Sequence, residues 1–181
     1  MVHDHNSSRQ HIDRNITGSA LQQIVDEGWE DRSSTMVYNP DWHKGVVGIV
    51  ASRLTEKYYR PTAVLTKSKG VLAGSARSVS DFDLYAALDA CSEHLIQFGG
   101  HKFAAGMTLK EEKLDDFRAA FEEVVQERIE PYMKQAEIVV DMEIDLDEID
   151  GDLYKNLNYL APFGPGNPRP IFVSRELKDT G

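Results

Sequence analysis

Apolar positions recur at helical spacing through the first part of the chain. Ile12, Ile16, Ala20, Leu21 and Ile24 share one side and Gly28 follows as a stop, which predicts a helix over 11–27. The period then shortens. Thr35-Met36-Val37-Tyr38 reads as a strand closed by Asn39-Pro40. Val46, Val47, Ile49, Val50 and Leu54 predict a second helix over 46–58, broken before Pro61. Apolar runs over 62–66 and 71–76 flank Ser68-Lys69-Gly70 and predict a hairpin. Asp81 is positioned to cap a helix starting near Phe82, with Leu84, Ala87, Leu88 and Cys91 on one face and helical spacing resuming through Leu95 and Ile96. A strand over 103–109 and an amphipathic helix over 114–129 follow, the helix carrying Leu114, Phe117, Phe121, Val124 and Val125 ahead of Pro131. Beyond it come a strand over 138–142, an acidic loop over 145–152, a short helix over 154–160, a rigid Pro/Gly connector over 161–168 and a strand opening at Ile171. Alternating strands and helices predict an α/β domain with a mixed β-sheet flanked by helices.

A length of 181 residues suits one generous domain, or one domain and a piece of another. The opening helix reads as a connector from something upstream, and a lone strand at the end reads as the start of a following domain. No apolar run is long enough to cross a membrane, and the first residues lack the basic-then-apolar pattern of a secretion signal. Cys91 is the single cysteine, which excludes an intrachain disulfide and a cysteine-based metal cluster and fits a reducing cytoplasm. The net charge of −10 argues against a nucleic-acid partner. The charge is uneven, however: residues 43–77 hold Lys44, Arg53, Lys57, Arg60, Lys67, Lys69 and Arg77 against Glu56, so a local positive surface is expected within an acidic chain.

Three segments carry candidate chemistry. Trp42, His43 and Lys44 precede the second helix, where free amides and the helix dipole favour an anion; Trp42 either stacks on a base or fills the core. Ser75 and Arg77 alternate along a strand, so both point to one side, and a hydroxyl beside a forked guanidinium suits a terminal phosphate. The alternative for Arg77 is a surface ion pair with Asp81 or Asp83. In Gly99-Gly100-His101-Lys102 the glycines open backbone dihedrals closed to other residues, and an imidazole and a cation follow. The plain alternative is a helix stop and a glycine turn. His3-Asp4-His5 is not read as a metal site, the acidic run from Asp141 to Glu148 reads as solvated, and no Walker loop, GxSxG elbow or zinc spacing occurs.

Taken in order, 42–54, Tyr59-Arg60-Pro61-Thr62, Gly74-Ser75-Ala76-Arg77-Ser78 and 98–106 resemble the DHHA1 domain, the C-terminal subdomain of the DHH phosphoesterase superfamily, and within it the bacterial single-strand-specific exonucleases. The connector 160–168 resembles the lead into that family's OB-fold domain, and 15–27 the end of its inter-domain helix. The resemblance implies three parts: 1–30 as the connector helix from an absent DHH domain, 31–135 as the DHHA1 domain, and 136–181 as a linker and truncated start of the OB fold. It implies a role in a 5′-to-3′ exonuclease that degrades single-stranded DNA in recombination and repair. Ser75 and Arg77 would hold the terminal phosphate, His101 would sit near the scissile phosphate, and Gly99, Gly100, Lys102, Trp42, His43 and Lys44 would contact the strand. Manganese or magnesium would bind the upstream DHH half, leaving this part without a cofactor and inactive alone. A superfamily relative acting on short oligoribonucleotides or a nucleoside bisphosphate, and a non-catalytic nucleic-acid-binding module, are the alternatives.

Overall fold

The opening periodicity becomes α1 (Val2–Asp26) in the computed structural model, which describes residues 2–178, with side chains from 11 onward. His3, Asp4 and His5 therefore carry side chains outside the described ones. Contacts divide the chain into 1–136 and 137–181.

In the first unit, β1 (Thr35–Tyr38), β2 (Thr62–Ser68), β3 (Val71–Arg77), β4 (Gln97–His101) and β5 (Ala104–Leu109) form one sheet in the order β1-β2-β3-β5-β4. The β1–β2 pair is parallel and the others are antiparallel, so the sheet is mixed as the alternation predicts. One face is buried by α3 (Leu84–Ala90) and α4 (Leu114–Arg128), with Leu65, Leu72, Leu109, Leu88, Phe117 and Phe121 in one apolar cluster. On the other face α2 (Val47–Tyr58) packs over β2 and β3, and α1 packs on α2. Val37, Val64, Val50, Leu54, Ile16 and Ile24 close that second cluster. Nothing comparable covers β4 and β5 on this side, where Gln97, Gly99, His101 and Gly106 are exposed.

Two readings near this region change. The helix expected to run through Ile96 ends at Ala90, a tight turn occupies Ser92–His94, and 97–101 become β4. Gly99 and Gly100 are thus strand residues rather than a helix stop: Gly99 pairs with Gly106 and Gly100 with Ala105. A strand with two glycines carries no alternation of its own, and its partner strand supplies the order. The helix cap is Asp83, whose carboxylate accepts from the Ala86 amide at 3.0 Å. Asp81 sits in the preceding turn at φ +66.

The basic stretch is also redistributed. Arg60 is 5% exposed. It donates to Thr35 Oγ1 at 2.7 Å and to the carbonyls of Trp29 at 2.8 Å, Glu30 at 2.6 Å and Arg32 at 2.5 Å. Burial pulls its pKa down and Glu122 opposes that shift. Glu122 of α4 accepts from the amides of Ser33 and Ser34, at 2.7 and 2.8 Å, and from the Ser34 hydroxyl. Two buried or half-buried charges therefore pin the α1–β1 loop by satisfying its backbone. Arg53 pairs with Asp13 at 2.6 Å and Lys67 with Glu111 at 2.7 Å. Lys44, Lys57, Lys69 and Arg77 keep no carboxylate partner among the described residues, and of these Lys44 and Arg77 lie toward β3.

In the second unit the strand expected over 138–142 shrinks to β6 (Met142–Glu143), parallel to β7 (Phe172–Val173). The acidic run is not idle. Asp145 and Glu148 form a capping box, and Asp150 accepts from the Leu153 amide at 2.7 Å to start α5 (Gly151–Tyr159). Asn167 Nδ2 donates to the Leu160 and Pro162 carbonyls at 2.8 and 3.0 Å and holds the Pro/Gly connector. Among the described residues, no helix is long and apolar enough to cross a membrane.

Cys91 is 1% exposed, and burial pushes its thiol from an ordinary 9.0 up to about 11. The folded chain therefore holds this proton where the unfolded chain releases it. Stability is expected to be unaffected below pH 9 and to fall as pH rises toward about 11. A thiol reagent at pH 8 should leave the native chain unlabelled and label it stoichiometrically in denaturant; fast labelling of native chain would contradict this packing.

Candidate functional site

Strand register assembles the site. Arg77 lies opposite Ala104, and Ala104 lies opposite His101. Residues directly opposite each other point to the same face, so the guanidinium and the imidazole share one face, which α2 covers over β3 and leaves open over β4 and β5. Their Cα atoms are two strand spacings apart, about 10 Å. The adjacent row on that face is Ser75, Gly106 and Gly99, and the next is Ala73, Thr108 and Gln97.

The first turn of α2 walls one side of these rows. No side chain caps it. Gly48 faces β3: a Cβ there would lie 3.1 Å from Arg77 Nη2 and 3.5 Å from Ser75 Oγ. Glycine at 48 is what lets the guanidinium lie against the helix. Arg77 Nη1 also donates to its own neighbour's carbonyl, Ala76 O, at 2.8 Å. This bond fixes part of the fork, and the expected alternative pairing with Asp81 or Asp83 does not form. Two open clefts meet here. One, of about 500 Å³, is lined by Gly48, Ser52, Arg53, Glu56, Ser75 and Arg77. The other, of about 540 Å³, runs over Gly99, Gly106, Gln97 and Thr108. Lys44 and Ser75 line both.

The glycines play different parts. Gly100 has φ +152, and a Cβ on it would stand 2.2 Å from Ala104 O, so the backbone itself demands glycine. A Cβ on Gly99 would meet nothing within 4 Å, and one on Gly106 only Gly74 O at 3.8 Å. These two leave a flat patch of exposed backbone that the fold does not need bare. Glycine inside a strand often marks a place where a ligand approaches the backbone.

The sequence-derived residues divide accordingly. Lys44, Ser75, Arg77, Gly99 and His101 come together on the open face, joined by Gly48, Gly106, Thr108 and Gln97, which sequence reasoning did not single out as contacts. Trp42 departs from the expected DNA contact. It is 8% exposed, lies in the cluster with Ile16, Ala20 and Val47, and its carbonyl accepts from Thr66 Oγ1 at 2.6 Å. Its ring is spent on seating α1, and it offers no face for stacking. His43 is exposed, with Nδ1 accepting from the Gly45 amide at 3.0 Å, which shapes the loop before α2. Lys102 lies 3.8 Å from Asp81 and over the Phe103 ring, so it is partly engaged rather than simply solvated. His101 Nδ1 accepts from the Phe103 amide at 3.3 Å, which leaves Nε2 for a ligand. Among the described residues, no three His, Cys, Asp or Glu side chains gather to hold a metal ion. What the face offers chemically is a hydroxyl, a forked cation, a lysine and an imidazole around bare backbone, a donor set for phosphate oxygens.

Comparison with known proteins identifies the family. Residues 31–127 match the family model of the DHHA1 domain, and residues 140–180 that of the RecJ OB domain. The chain is 37% identical over 169 residues to the single-stranded-DNA-specific exonuclease RecJ of Bacillus subtilis, covering 91% of this chain and 21% of that protein. It is 34% identical over 180 residues to RecJ of Salmonella typhimurium, covering 94% of this chain and 31% of that one. The chain therefore spans less than a third of the length of these curated relatives. Its structure matches RecJ of Thermus thermophilus in complex with Mn2+ at a TM-score of 0.81 and 28% identity, covering 95% of this chain and 25% of that chain. Against the Mg2+ complex the TM-score is 0.80, with coverage of 94% and 26%.

Gly99→Ala should leave the thermal midpoint unchanged or slightly raised, since the strand gains a Cβ in open space. Gly100→Ala should lose about 1–3 kcal/mol, the cost of a strained backbone. Equal melting of the two variants would contradict the register described here.

Proposed function

This chain belongs to the DHHA1 domain family, and from that premise we propose that it is the strand-gripping part of a RecJ-like exonuclease that degrades single-stranded DNA from the 5′ end. Arg77 and Ser75 take the terminal phosphate through forked and hydroxyl donors. Lys44 and the uncapped first turn of α2 add a cation and free amides to that grip. His101 stands beside the scissile phosphate and donates a hydrogen bond or proton to it. Gly99 and Gly106 let the strand lie on the backbone, while Gly100 keeps β4 against β5 and His43 shapes the loop before α2.

The observation that carries this reading is the shared row and face of Arg77 and His101, walled by a glycine-opened helix turn. The RecJ OB domain match at 140–180 favours the exonuclease over superfamily members acting on short oligoribonucleotides or nucleoside bisphosphates. The partners are single-stranded DNA and an upstream DHH domain of the full-length chain. That domain would supply the ligands for manganese or magnesium, a group not found among the described residues. The work belongs to DNA recombination and repair in the cytoplasm, a setting that a lone buried thiol suits.

Fluorescence anisotropy with a 5′-phosphorylated oligodeoxynucleotide tests the grip. The chain should bind it weakly and lose affinity steeply with salt, and Arg77→Ala should weaken binding about tenfold and reduce the salt slope by about 1. The chain alone, given manganese, should not degrade the oligonucleotide. Salt-insensitive binding, an unaffected Arg77→Ala variant or robust degradation by this chain alone would each overturn the proposal.

A further inference from the structure

Phe103 is large, apolar and 52% exposed, yet it stands at the tip of the β4–β5 hairpin next to the cations and imidazole of the open face. The pattern of the chain hides it, because a phenylalanine opening an apolar run reads as core. Only the strand boundary, which falls at Ala104, leaves it outside. Its surroundings are ordered. The Ser78 amide donates to the Phe103 carbonyl at 3.1 Å, and the Leu84 amide donates to the Lys102 carbonyl at 3.0 Å. The tip is thus tied to the chain on both sides of Phe82, and the ring is presented from a braced backbone. The ring meets His101 edge-on at a centroid distance of 6.3 Å, and Lys102 Nζ lies 5.5 Å from the ring centroid. One ring face is therefore beside a cation, and the ring as a whole is half in solvent at the end of the row that holds Arg77 and His101.

We propose that Phe103 is a base-stacking platform: a nucleobase near the 5′ end of the bound strand lies on its ring while the flanking phosphates meet Lys102 and Arg77. Three features select a nucleobase over another apolar partner. The exposed ring is single, so it offers the area of one flat group rather than a protein-sized patch. A cation, Lys102, lies over its ring, which suits a strand with a phosphate on either side of each base. It is also adjacent to His101. Stacking is indifferent to base identity because every base has a π face, so this platform would help hold a strand of any sequence. The contact rests on the strand-gripping reading of the same face. It adds a recognition element for the base to one that otherwise recognises only phosphate.

The test is a cycle between protein and strand. The whole chain is titrated with a 5′-phosphorylated oligodeoxynucleotide and with versions carrying an abasic site at each of the first few positions. Phe103→Ala should weaken binding of the intact strand about five- to tenfold, and Phe103→Trp should restore it. One abasic strand should bind parent and Phe103→Ala chains equally, since the stack is already missing. Phe103→Leu, which keeps apolar bulk but no ring, should behave as the alanine variant. If Phe103→Ala matches the parent on the intact strand, or loses the same factor on every abasic strand, the platform is overturned. If the parent distinguishes 5′-phosphate from 5′-hydroxyl through Arg77 while Phe103 has no effect, only the platform fails. If the parent binds no strand, or binds without regard to Arg77, the strand-gripping reading fails and the platform with it.

Discussion

Antiparallel pairing of three strands in one register places everything the open face can do. Arg77, Ala104 and His101 form a row because β3, β5 and β4 are hydrogen-bonded neighbours with these residues opposite. A slip of one residue in either pair would send one of the two functional side chains to the other face, into the cluster around Phe117 and Phe121. Gly100 guards that register. Its φ of +152 and the 2.2 Å approach that a Cβ would make to Ala104 O tie glycine to that one position of β4. The buried face guards it from the other side, since Ala76, Ala105 and Met107 must all point inward.

A row of donors is useful only if its surroundings hold still and leave room. Arg60 and Glu122 do the first: they saturate the backbone between Trp29 and Ser34, so that α1 and the sheet share one braced loop. Trp29 adds to this bracing by lying between the guanidinium groups of Arg32 and Arg118 at 4.8 and 4.9 Å. Gly48 does the second, since a Cβ there would crowd Arg77 Nη2 at 3.1 Å. Of the cations in the 43–77 stretch, Arg60 and Lys67 are engaged in bonds within the fold, Arg53 both pairs with Asp13 and lines a cleft, and Lys44 and Arg77 face the cleft without a carboxylate partner among the described residues.

The sequence made the mixed α/β architecture legible through α1, α2, the β2–β3 hairpin, β5 and α4, all of which have strong local periodicity. It hid β4, whose two glycines erase alternation and whose order comes from pairing with β5. It also hid the distinction between Gly99 and Gly100, because φ and the distance to a neighbouring strand are tertiary facts. Ser75, Arg77 and His101 were legible as chemistry from their types, and Lys44 from its place ahead of a helix. Trp42 was not, since its choice between core and surface depends on α1, which lies far away in sequence and covers its ring. Phe103 fails in the opposite direction, apolar by type and exposed by position.

Amide mapping by NMR tests the convergence of the three segments most directly. A 15N-labelled chain is titrated with a short 5′-phosphorylated single strand, and shifts are followed residue by residue. The account predicts perturbations confined to residues 44–48, 74–77 and 97–106, reached together at one ligand concentration. Perturbations centred on α3 and α4, or three segments titrating independently, would contradict it.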